Sequence, residues 1–551
     1  MPGDVVEGAR AAGTGMLVLP AAPGPYRPDL ILSPTEASLL IEDGMRVVVG
    51  GSGSLLQVPE TLLATLGDRF EATGSPQGLD VVHVMGLGDH EGRGIDHLAR
   101  RGLVRRFIGS HFVLSPAQQR LIAENQVQAV GLPAGTISLL YREIAAGRPG
   151  LLTDIGLGTY VDPRQDAGAM NTVTTDGVGE IVELGGREWI FYPTFPIDVA
   201  LIRASVADRH GNLSMEDEAA LSDNLAIAQA ARNTGGIVIA EVKRIVPAGE
   251  IPAAQVRVPG VLVDHVVITD HPKQTPITVH DPSRTGSAPG AERVVPAMVF
   301  DQRKIVARRA ATELADGDLV NLGVGMANGI SYVALEEGVL GRITITVEQG
   351  LFGGLPGIGL DSGTAINPSS LIDMSSQFDF YDGGGLDVAC LAFAQIDRHG
   401  NVNVARVGEQ PIGPGGFIDI SQKAGTVLFC GTFRGGGLRT EISSGSLRIS
   451  RDGCYPKFVT AVDAITFSAA RALETGQRVL YLTERAVFRL DTDGLELIEV
   501  APGIDLQRDV LDLLPFAPVM RETPRLMDFR LFAPEPFGLT LHPPRLPRRT
   551  R

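Results

Sequence analysis

One carboxylate, Glu348, stands where a β-strand pattern gives way to a run of glycines. Residues 343–347 alternate β-branched apolar side chains with threonine, which is the period-2 signature of a strand. The glycines that follow are Gly350, Gly353, Gly354, Gly357 and Gly359. Ligands bind at the carboxyl ends of strands in open α/β sheets, and glycines let the backbone approach a substrate closely. Glu348 is therefore a candidate nucleophile, and a solvated glutamate that begins an ordinary turn is the alternative.

A second glycine-rich loop, residues 323–329 with the sequence GVGMANG, follows an apolar strand pattern. Its GxGxxxG spacing departs from the GxGxxG fingerprint of dinucleotide-binding proteins. Backbone N–H groups at such a strand-to-helix turn can still bind an oxyanion or a pyrophosphate. Further glycine clusters lie at 50–54, 381–387 and 430–440. Because each follows an apolar run, we expect these loops to gather at one rim of paired sheets.

Two groups of histidines have competing interpretations. His83, His90 and His97 lack the spacing of an HExxH zinc motif and are separated by glycines, so we expect polar loop histidines and no metal site. The pentapeptide DRHGN occurs twice, at 208–212 and 397–401. Its repetition favours a structural turn, which suits Gly and Asn, over a pair of general bases.

The composition indicates a glycine-rich α/β enzyme with more than one domain. Its 551 residues exceed the ~250 to 300 at which single cores stop growing. A formal charge of −16 argues against nucleic acid as a partner. No apolar run approaches the ~18 residues of a membrane span, and Asp4 and Glu7 stand where a signal peptide would be basic, so we expect no membrane partner. Three cysteines without a CxxC motif fit a reducing cytoplasm.

An internal duplication organises the chain. Residues 34–54 and 301–325 share a helix pattern, an Asp-Gly turn, an apolar strand and a glycine loop, and 199–217 resembles 388–406 around DRHGN. The fold class we expect is α/β, with two homologous open α/β domains that contain mostly parallel sheets. From the Asp-Gly turn to DRHGN there are 165 residues in the first copy and 81 in the second, so the first half carries an insertion of about 84 residues.

The predicted domain boundaries follow from this repeat and from local composition. The parts are a flexible N-terminal lead at 1–28, a first half at 29–285, a second half with Glu348 at 286–530, and a solvated Pro- and Arg-rich tail at 531–551.

Six separated segments resemble the family I CoA-transferases in the family's order, especially the single-chain acetate or propionate CoA-transferases, which are similar to 3-oxoacid CoA-transferases. The segments are SPTEASLLIEDGMRVVVGG, residues 148–171, FPIDVALIRASVADRHGN, TVEQGLFGGLPGIG, GGGLDVACLAF and VLYLTERAVFRL with EVAPGID. They cover roughly residues 30–530.

The resemblance implies roles for particular residues. Glu348 corresponds to the catalytic glutamate. The oxyanion and CoA site is implied to contain Gly323, Val324, Gly325, Met326, Ala327 and Asn328, with Gly384 and Gly385 from the segment 383–387. The substrate pocket is implied to contain Gln57, Gly353 and Gly354. Gln349 and Ala134 depart from residues that are common in the family, so they leave the preferred acid open.

The resemblance also implies a reaction. Glu348 would attack acyl-CoA without a base partner, since a glutamate with a pKa near ~4.3 is ionised at pH 7. CoA would then move between short-chain acyl-CoA and small carboxylic acids in a ping-pong cycle through a glutamyl-CoA thioester, with CoA as a substrate and no cofactor. We expect a cytoplasmic homo-oligomer, a dimer or tetramer. An acyl-CoA hydrolase on the same scaffold and a non-catalytic CoA-binding protein are the alternatives.

Overall fold

The computed structural model describes Arg27, residues 29–287 and residues 292–545. The predicted flexible lead, residues 1–28, lies outside this range except for Arg27. The Arg27 guanidinium donates hydrogen bonds to the carbonyls of Val263 at 2.5 Å and Asp264 at 2.6 Å, so this one residue is anchored to the first half. Among the described residues, none of the helices combines the length and the hydrophobicity that crossing a bilayer requires.

The first half is built around one large, mostly parallel sheet. Its helices and strands in chain order are α1 (Pro34–Leu39), β1 (Arg46–Val49), α2 (Glu60–Thr73), β2 (Leu79–His83), β3 (Val104–Gly109), α3 (Pro116–Ala123), β4 (Gln128–Gly131), α4 (Ala134–Ala145), β5 (Gly150–Thr153), β6 (Glu180–Leu184), β7 (Arg187–Pro193), β8 (Val199–Asp208), β9 (Leu213–Ser214), α5 (Asn224–Asn233), β10 (Ile237–Val246), β11 (Val256–Val258) and β12 (His265–Ile268). The parallel order is β12-β10-β8-β1-β2-β3-β4, and β9 and β11 add antiparallel pairs beside β8. Strands β2 and β8 are buried along their whole length, as expected for parallel strands covered on both faces.

The second half repeats this plan with antiparallel additions at both edges. Its helices and strands are α6 (Gln302–Ala311), β13 (Leu319–Leu322), α7 (Gly329–Glu336), β14 (Thr344–Val347), β15 (Leu351–Phe352), β16 (Leu355–Pro356), β17 (Ala365–Ile366), β18 (Ser370–Leu371), α8 (Met374–Asp382), β19 (Val388–Ala392), β20 (Gln395–Asp397), β21 (Val402–Asn403), β22 (Arg406–Val407), β23 (Gln410–Pro411), α9 (Phe417–Lys423), β24 (Thr426–Cys430), β25 (Arg434–Gly435), β26 (Arg439–Ser443), β27 (Ser446–Arg451), β28 (Tyr455–Pro456), β29 (Phe458–Val459), α10 (Ala469–Glu474), β30 (Arg478–Leu482), β31 (Ala486–Asp491), β32 (Gly494–Val500), α11 (Leu506–Asp509) and β33 (Arg525–Leu526). The main sheet runs β18-β15-β14-β13-β19-β24-β30-β31-β32-β33, and its centre from β14 to β30 is parallel.

Strand order and register agree with the internal duplication. The order β12-β10-β8-β1-β2 corresponds to β30-β24-β19-β13-β14. Equivalent cross-strand partners are Val47, Val81 and Val199 in the first half and Val320, Ile345 and Val388 in the second. Glu348 lies three residues after Ile345, so its equivalent in the first half is Val84. The duplication therefore places a carboxylate at the end of only one of the two equivalent strands.

The two DRHGN segments form the same closed turn. In each copy the aspartate accepts hydrogen bonds from the backbone N–H groups two and four residues on, at 2.8 and 3.0 Å for Asp208 and at 3.0 Å for both bonds of Asp397. The side chains of Asn212 and Asn401 donate back to these carboxylates at 3.0 Å. This geometry explains the repeated sequence as turn chemistry, as predicted.

The C-terminal segment differs from the predicted solvated tail. Leu531, Phe532 and Phe537 are buried in the same hydrophobic core as α6. The Arg545 side chain donates to Asp318 at 2.7 Å. The tail prediction is therefore wrong for residues 531–545, because apolar side chains are interspersed among the prolines, while residues 546–551 lie outside the described range.

We expect Phe532→Ala to destabilise the protein by about 3 to 5 kcal/mol, because it removes a buried aromatic side chain and leaves a cavity. Phe532 is 1% exposed, whereas its neighbour Phe529 is 68% exposed. Phe529→Ala is the matched control, with an expected change within about 0.5 kcal/mol. Denaturant unfolding measures both variants, and equal losses would contradict the docked position of this segment.

Candidate active site

A cavity of about 600 Å³ lies between the carboxyl ends of the two sheets. The first half supplies loops after β1, β2 and β3, and the second half supplies loops after β13 and β14 and the segment before α9. The residues that line the cavity include Gly53, Ser54, Met85, Gly86, His90, His111, Val113, Leu114, Asn321, Gly323, Val324, Asn328, Glu348, Gln349, Gly357, Gly359, Ile412, Gly413, Gly415 and Gly416. The predicted gathering of glycine loops at one rim thus holds for the loops that begin at Gly50 and Gly323.

Glu348 lies in the wall of this cavity and is half-buried. The backbone N–H of Gly416 faces its carboxylate, and the Gln349 amide approaches Oε1 at a long 3.5 Å. A Cβ atom on Gly416 would lie 1.9 Å from Oε2, so only glycine leaves room for the carboxylate here. Burial raises the pKa of Glu348 to about 7, although the two hydrogen bonds act in the opposite direction.

The strand that carries Glu348 ends in a hydrogen-bonded polar cluster. The Tyr381 hydroxyl donates to Thr346 Oγ1 at 2.8 Å. The Asn321 amide donates to the Thr346 carbonyl at 3.2 Å and to the Tyr381 hydroxyl at 3.1 Å. All three side chains are buried. They fix the backbone two residues before Glu348, which limits the positions that its carboxylate can take.

The glycine loop 323–329 reaches the site with three of its six predicted residues. Gly323, Val324 and Asn328 line the cavity. The Asn328 amide donates to the Gly357 carbonyl at 2.9 Å and so ties this loop to the glycines that follow Glu348. The Gly323 N–H is already bonded to the Cys390 carbonyl at 2.8 Å. This amide therefore has no free hydrogen to offer an oxyanion.

Comparison with known proteins agrees with this arrangement. The family model described as coenzyme A transferase matches residues 32–269. The acetate CoA-transferase YdiF of Escherichia coli (strain K12) is 42% identical over 514 residues, which are 93% of this chain and 96% of that protein. The chain belongs to the coenzyme A transferase family. The caffeate CoA-transferase of Acetobacterium woodii is 41% identical over 516 residues, which cover 92% of this chain and 98% of that protein.

A solved structure supports the fold of this CoA-transferase at full length. The acyl-CoA transferase YdiF of E. coli O157:H7, in a thioester complex with CoA, has a TM-score of 0.89 and 41% identity, and the match covers 95% of this chain and 100% of that one. The predicted α/β fold class and the assignment as a CoA-transferring enzyme are both confirmed.

The remaining residues of the glycine loop take other positions in the CoA-transferase. Gly325 has a φ of +99° with open space around it, while Ala327 is fully buried in the core beneath the loop. Met326 packs against that core. None of the three is among the described residues that line the cavity. Fewer residues of this loop therefore line the cavity than the sequence predicted.

Two of the predicted glycines lie at the wrong edge of the sheet for a role beside Glu348. Gly384 and Gly385 connect α8 to the beginning of β19, so they lie at the amino end of a parallel strand. A Cβ atom on Gly385 would meet the Phe380 ring at 2.2 Å, which explains this glycine by packing. Both glycines therefore lie at the opposite end of the parallel strands from Glu348, and their implied role in binding CoA stays a prediction.

The three predicted pocket residues also lie outside the cavity lining. Gln57 is 1% exposed and its amide donates to Met215 Sδ at 3.1 Å, away from the cavity that its loop neighbours Gly53 and Ser54 line. Gly353 and Gly354 form a tight turn with φ of +72° and +76°, and they pack against the segment 366–369.

His83, His90 and His97, the three histidines considered above, have different surroundings in the structure. His83 is buried in β2 and its Nδ1 lies 2.7 Å from the Met85 carbonyl. His97 Nε2 lies 2.8 Å from Glu60, and His90 reaches the cavity. The described residues contain no group of His, Cys, Asp and Glu side chains arranged to hold a metal ion.

Sequence reasoning missed a buried carboxyl close to Glu348. Asp419 in α9 is fully buried, and the backbone amides of Gly135 and Thr136 at the start of α4 face it. Burial raises the pKa of Asp419 to about 8, and the nearby Glu348 carboxylate adds to this rise. Asp419 links α4 of the first half to α9 of the second, three residues after the Gly416 that contacts Glu348.

The kcat/KM of the CoA-transferase for acyl-CoA should rise with pH and level off above about 7. A glutamate nucleophile attacks a thioester only as its carboxylate, and burial raises the pKa of Glu348 to about 7. If Glu348 is the nucleophile, its reactive fraction therefore falls about tenfold per pH unit well below that value. Initial exchange rates at low acyl-CoA between about pH 5 and 8.5 test this, because kcat/KM reports the pKa of the free enzyme. A flat profile down to about pH 5 would show an ordinary glutamate pKa instead.

Proposed function

We propose that the enzyme moves CoA between short-chain acyl-CoA and free carboxylic acids by a ping-pong mechanism, through a glutamyl-CoA thioester on Glu348. One observation carries the proposal. Among the described residues that line the cavity, Glu348 is the one carboxylate, and no cysteine, lysine or arginine is present. Glu348 also follows a parallel strand of the second half, where the first half has Val84.

The steps balance without an external acid or base. A Glu348 oxygen attacks the thioester carbonyl of acyl-CoA, the carbon–sulfur bond breaks, and an acyl-glutamyl anhydride and CoA thiolate form. The thiolate attacks the glutamyl carbonyl, the anhydride bond breaks, and the first acid leaves as a carboxylate. A second carboxylate attacks the glutamyl-CoA thioester and reverses both steps, so the new acid leaves as its CoA ester.

Backbone amides beside Glu348 are suited to stabilise the tetrahedral intermediates. The Gly416 N–H faces the carboxylate. The N–H of Val324, which lines the cavity, donates to no backbone carbonyl in the described part of the chain. One such donor typically contributes ~3 to 4 kcal/mol to the transition state. We therefore propose the amides of Gly416 and Val324 as oxyanion donors, because the Gly323 amide is already bonded to the Cys390 carbonyl.

The chemistry of the cavity wall favours acids with one carboxylate. Apolar side chains such as Met85, Val113 and Leu114 form much of the first-half wall. A second carboxylate would be buried without a cationic partner there, which is costly. The names of the relatives, acetate and caffeate CoA-transferases, span small and aromatic monocarboxylic acids.

Three further parts of the proposal concern the molecule as a whole. CoA acts as a substrate and no cofactor takes part. A cytoplasmic location fits Cys390, Cys430 and Cys454, which are free thiols. We also propose a homo-oligomer, a dimer or tetramer, which size-exclusion chromatography with light scattering would test.

Mass analysis after loading with acyl-CoA tests the covalent route. Incubation with acetyl-CoA in the absence of an acceptor acid should leave a CoA adduct on the peptide that contains Glu348, and a monocarboxylic acid should discharge it as the new acyl-CoA. Acid-independent release of free thiol would favour a hydrolase. Tight CoA binding with no adduct would favour a non-catalytic CoA-binding protein.

A further inference from the structure

His111 stands at the carboxyl end of β3, directly beside the loop that follows β2. Its ring lines the same cavity as Glu348. A Cβ atom on Gly86 would lie 2.6 Å from His111 Nδ1, so the absence of a side chain at Gly86 makes room for the imidazole. The ring therefore occupies a space that the neighbouring loop leaves open.

The backbone at His111 is held from both halves of the protein. The Gly415 N–H donates to the Ser110 carbonyl at 2.7 Å, and the Phe112 N–H donates to the Ile412 carbonyl at 2.8 Å. A Cβ atom on Gly413 would lie 2.9 Å from His111 Cα. The segment 412–416 thus touches His111 at one end and, through Gly416, Glu348 at the other. This short segment therefore holds the His111 ring and the Glu348 carboxylate in fixed positions relative to each other.

The ring nitrogens of His111 differ from the side-chain amide donors at the site. The Asn321 and Asn328 amides donate to protein acceptors, and the Gln349 amide reaches Glu348. Neither nitrogen of His111 has a hydrogen-bond partner among the described residues. Burial lowers the pKa of His111 to about 4, helped by the nearby His83 and His90, so the ring is a neutral donor and acceptor at physiological pH.

We propose that His111 binds the acid substrate, with its ring N–H donating to a carboxylate oxygen while the other oxygen faces the glutamyl-CoA carbonyl on Glu348. This inference rests on the proposed CoA-transfer function and adds a residue that positions the acid. A hydrogen bond to a charged acceptor is among the stronger kinds in proteins.

Kinetics of His111→Leu, His111→Gln and His111→Asn test the assignment, with acetate as the acid and propionyl-CoA as the donor. His111→Leu should raise the KM for acetate about 10-fold or more, because the lost hydrogen bond has a charged acceptor. The dissociation constant for free CoA should stay within about twofold. At least one amide variant should recover most of the loss, since an amide N–H can still donate. His399→Gln, an exposed histidine in the second DRHGN turn, is the matched control.

Chemical modification of the unaltered enzyme gives a second measurement that does not depend on variants folding. Diethyl pyrocarbonate modifies neutral imidazoles, and acetate should slow modification of the His111 peptide while leaving the His399 peptide unchanged. An unchanged KM for acetate in His111→Leu, an equal loss of CoA affinity, or modification of His111 that acetate does not slow would each overturn the proposal. If the His111 tests fail but acyl-CoA still leaves a CoA adduct on Glu348, the proposed CoA transfer stands. If the unaltered enzyme forms no adduct, CoA transfer itself is refuted.

Discussion

Glu348→Gln should abolish both the covalent CoA adduct and the exchange of CoA between acids, with a loss of about 10⁴-fold or more, as for removal of other enzymatic nucleophiles. The amide keeps the size of the side chain and can still contact its neighbours, but it carries no nucleophilic oxygen anion. Mass analysis after acyl-CoA loading, together with acyl exchange between propionyl-CoA and labelled acetate, measures both effects. Exchange near the wild-type rate would refute the assignment of the nucleophile.

Stability measurements separate this chemical loss from unfolding. Burial raises the pKa of Glu348 from 4.5 to about 7, so the folded state disfavours its ionised form. The free-energy cost of folding with this carboxylate grows as pH rises from the unfolded pKa and becomes constant above about 7. Glu348→Gln removes that cost, so the variant should be at least as stable as the parent at pH 8. Glu250→Gln, at an exposed position, is the control and should retain full activity.

The features that could be predicted from sequence are those that local pattern encodes. The alternation before Glu348 and the Asp-Gly and DRHGN turns depend on a few adjacent residues, and their duplication reveals the two sheets before any contact is known. The position of Glu348 at a strand end follows from the same alternation. The register then adds that its counterpart is Val84, which spacing alone did not identify.

The parts of the site that were missed depend on contacts between distant segments. His111 could have been suspected from its place just after an apolar strand, but only the fold brings Gly86 and Gly413 against it. Gln57 faces inward because the loop turns through a φ of +53° at this residue, which sequence does not reveal. Gly385 is a second example, because the contact that requires a glycine there is with the Phe380 ring, and the sequence does not reveal this contact.

The strongest test of this distant packing is Gly416→Ala. Gly416 has a φ of −84°, which alanine adopts without strain, so the fold should persist with little change in stability. The added Cβ would lie 1.9 Å from Glu348 Oε2, and the carboxylate must therefore move. A displacement of about 1 Å can reduce turnover about 100-fold. We expect a loss of this size in kcat and in the rate of adduct formation.

A matched glycine distinguishes displacement of the nucleophile from a general cost of adding a methyl group. A Cβ atom on Gly341 would meet no heavy atom within 4 Å, and this glycine lies outside the left-handed region, so Gly341→Ala should leave activity and stability nearly unchanged. If Gly416→Ala retains the parent's rate of adduct formation, the contact does not position Glu348. If the variant unfolds at a lower denaturant concentration in proportion to its lost activity, Gly416 supports the fold instead. A slow but complete adduct on a protein of normal stability is the result that the geometry predicts, because the nucleophile would be present but wrongly placed.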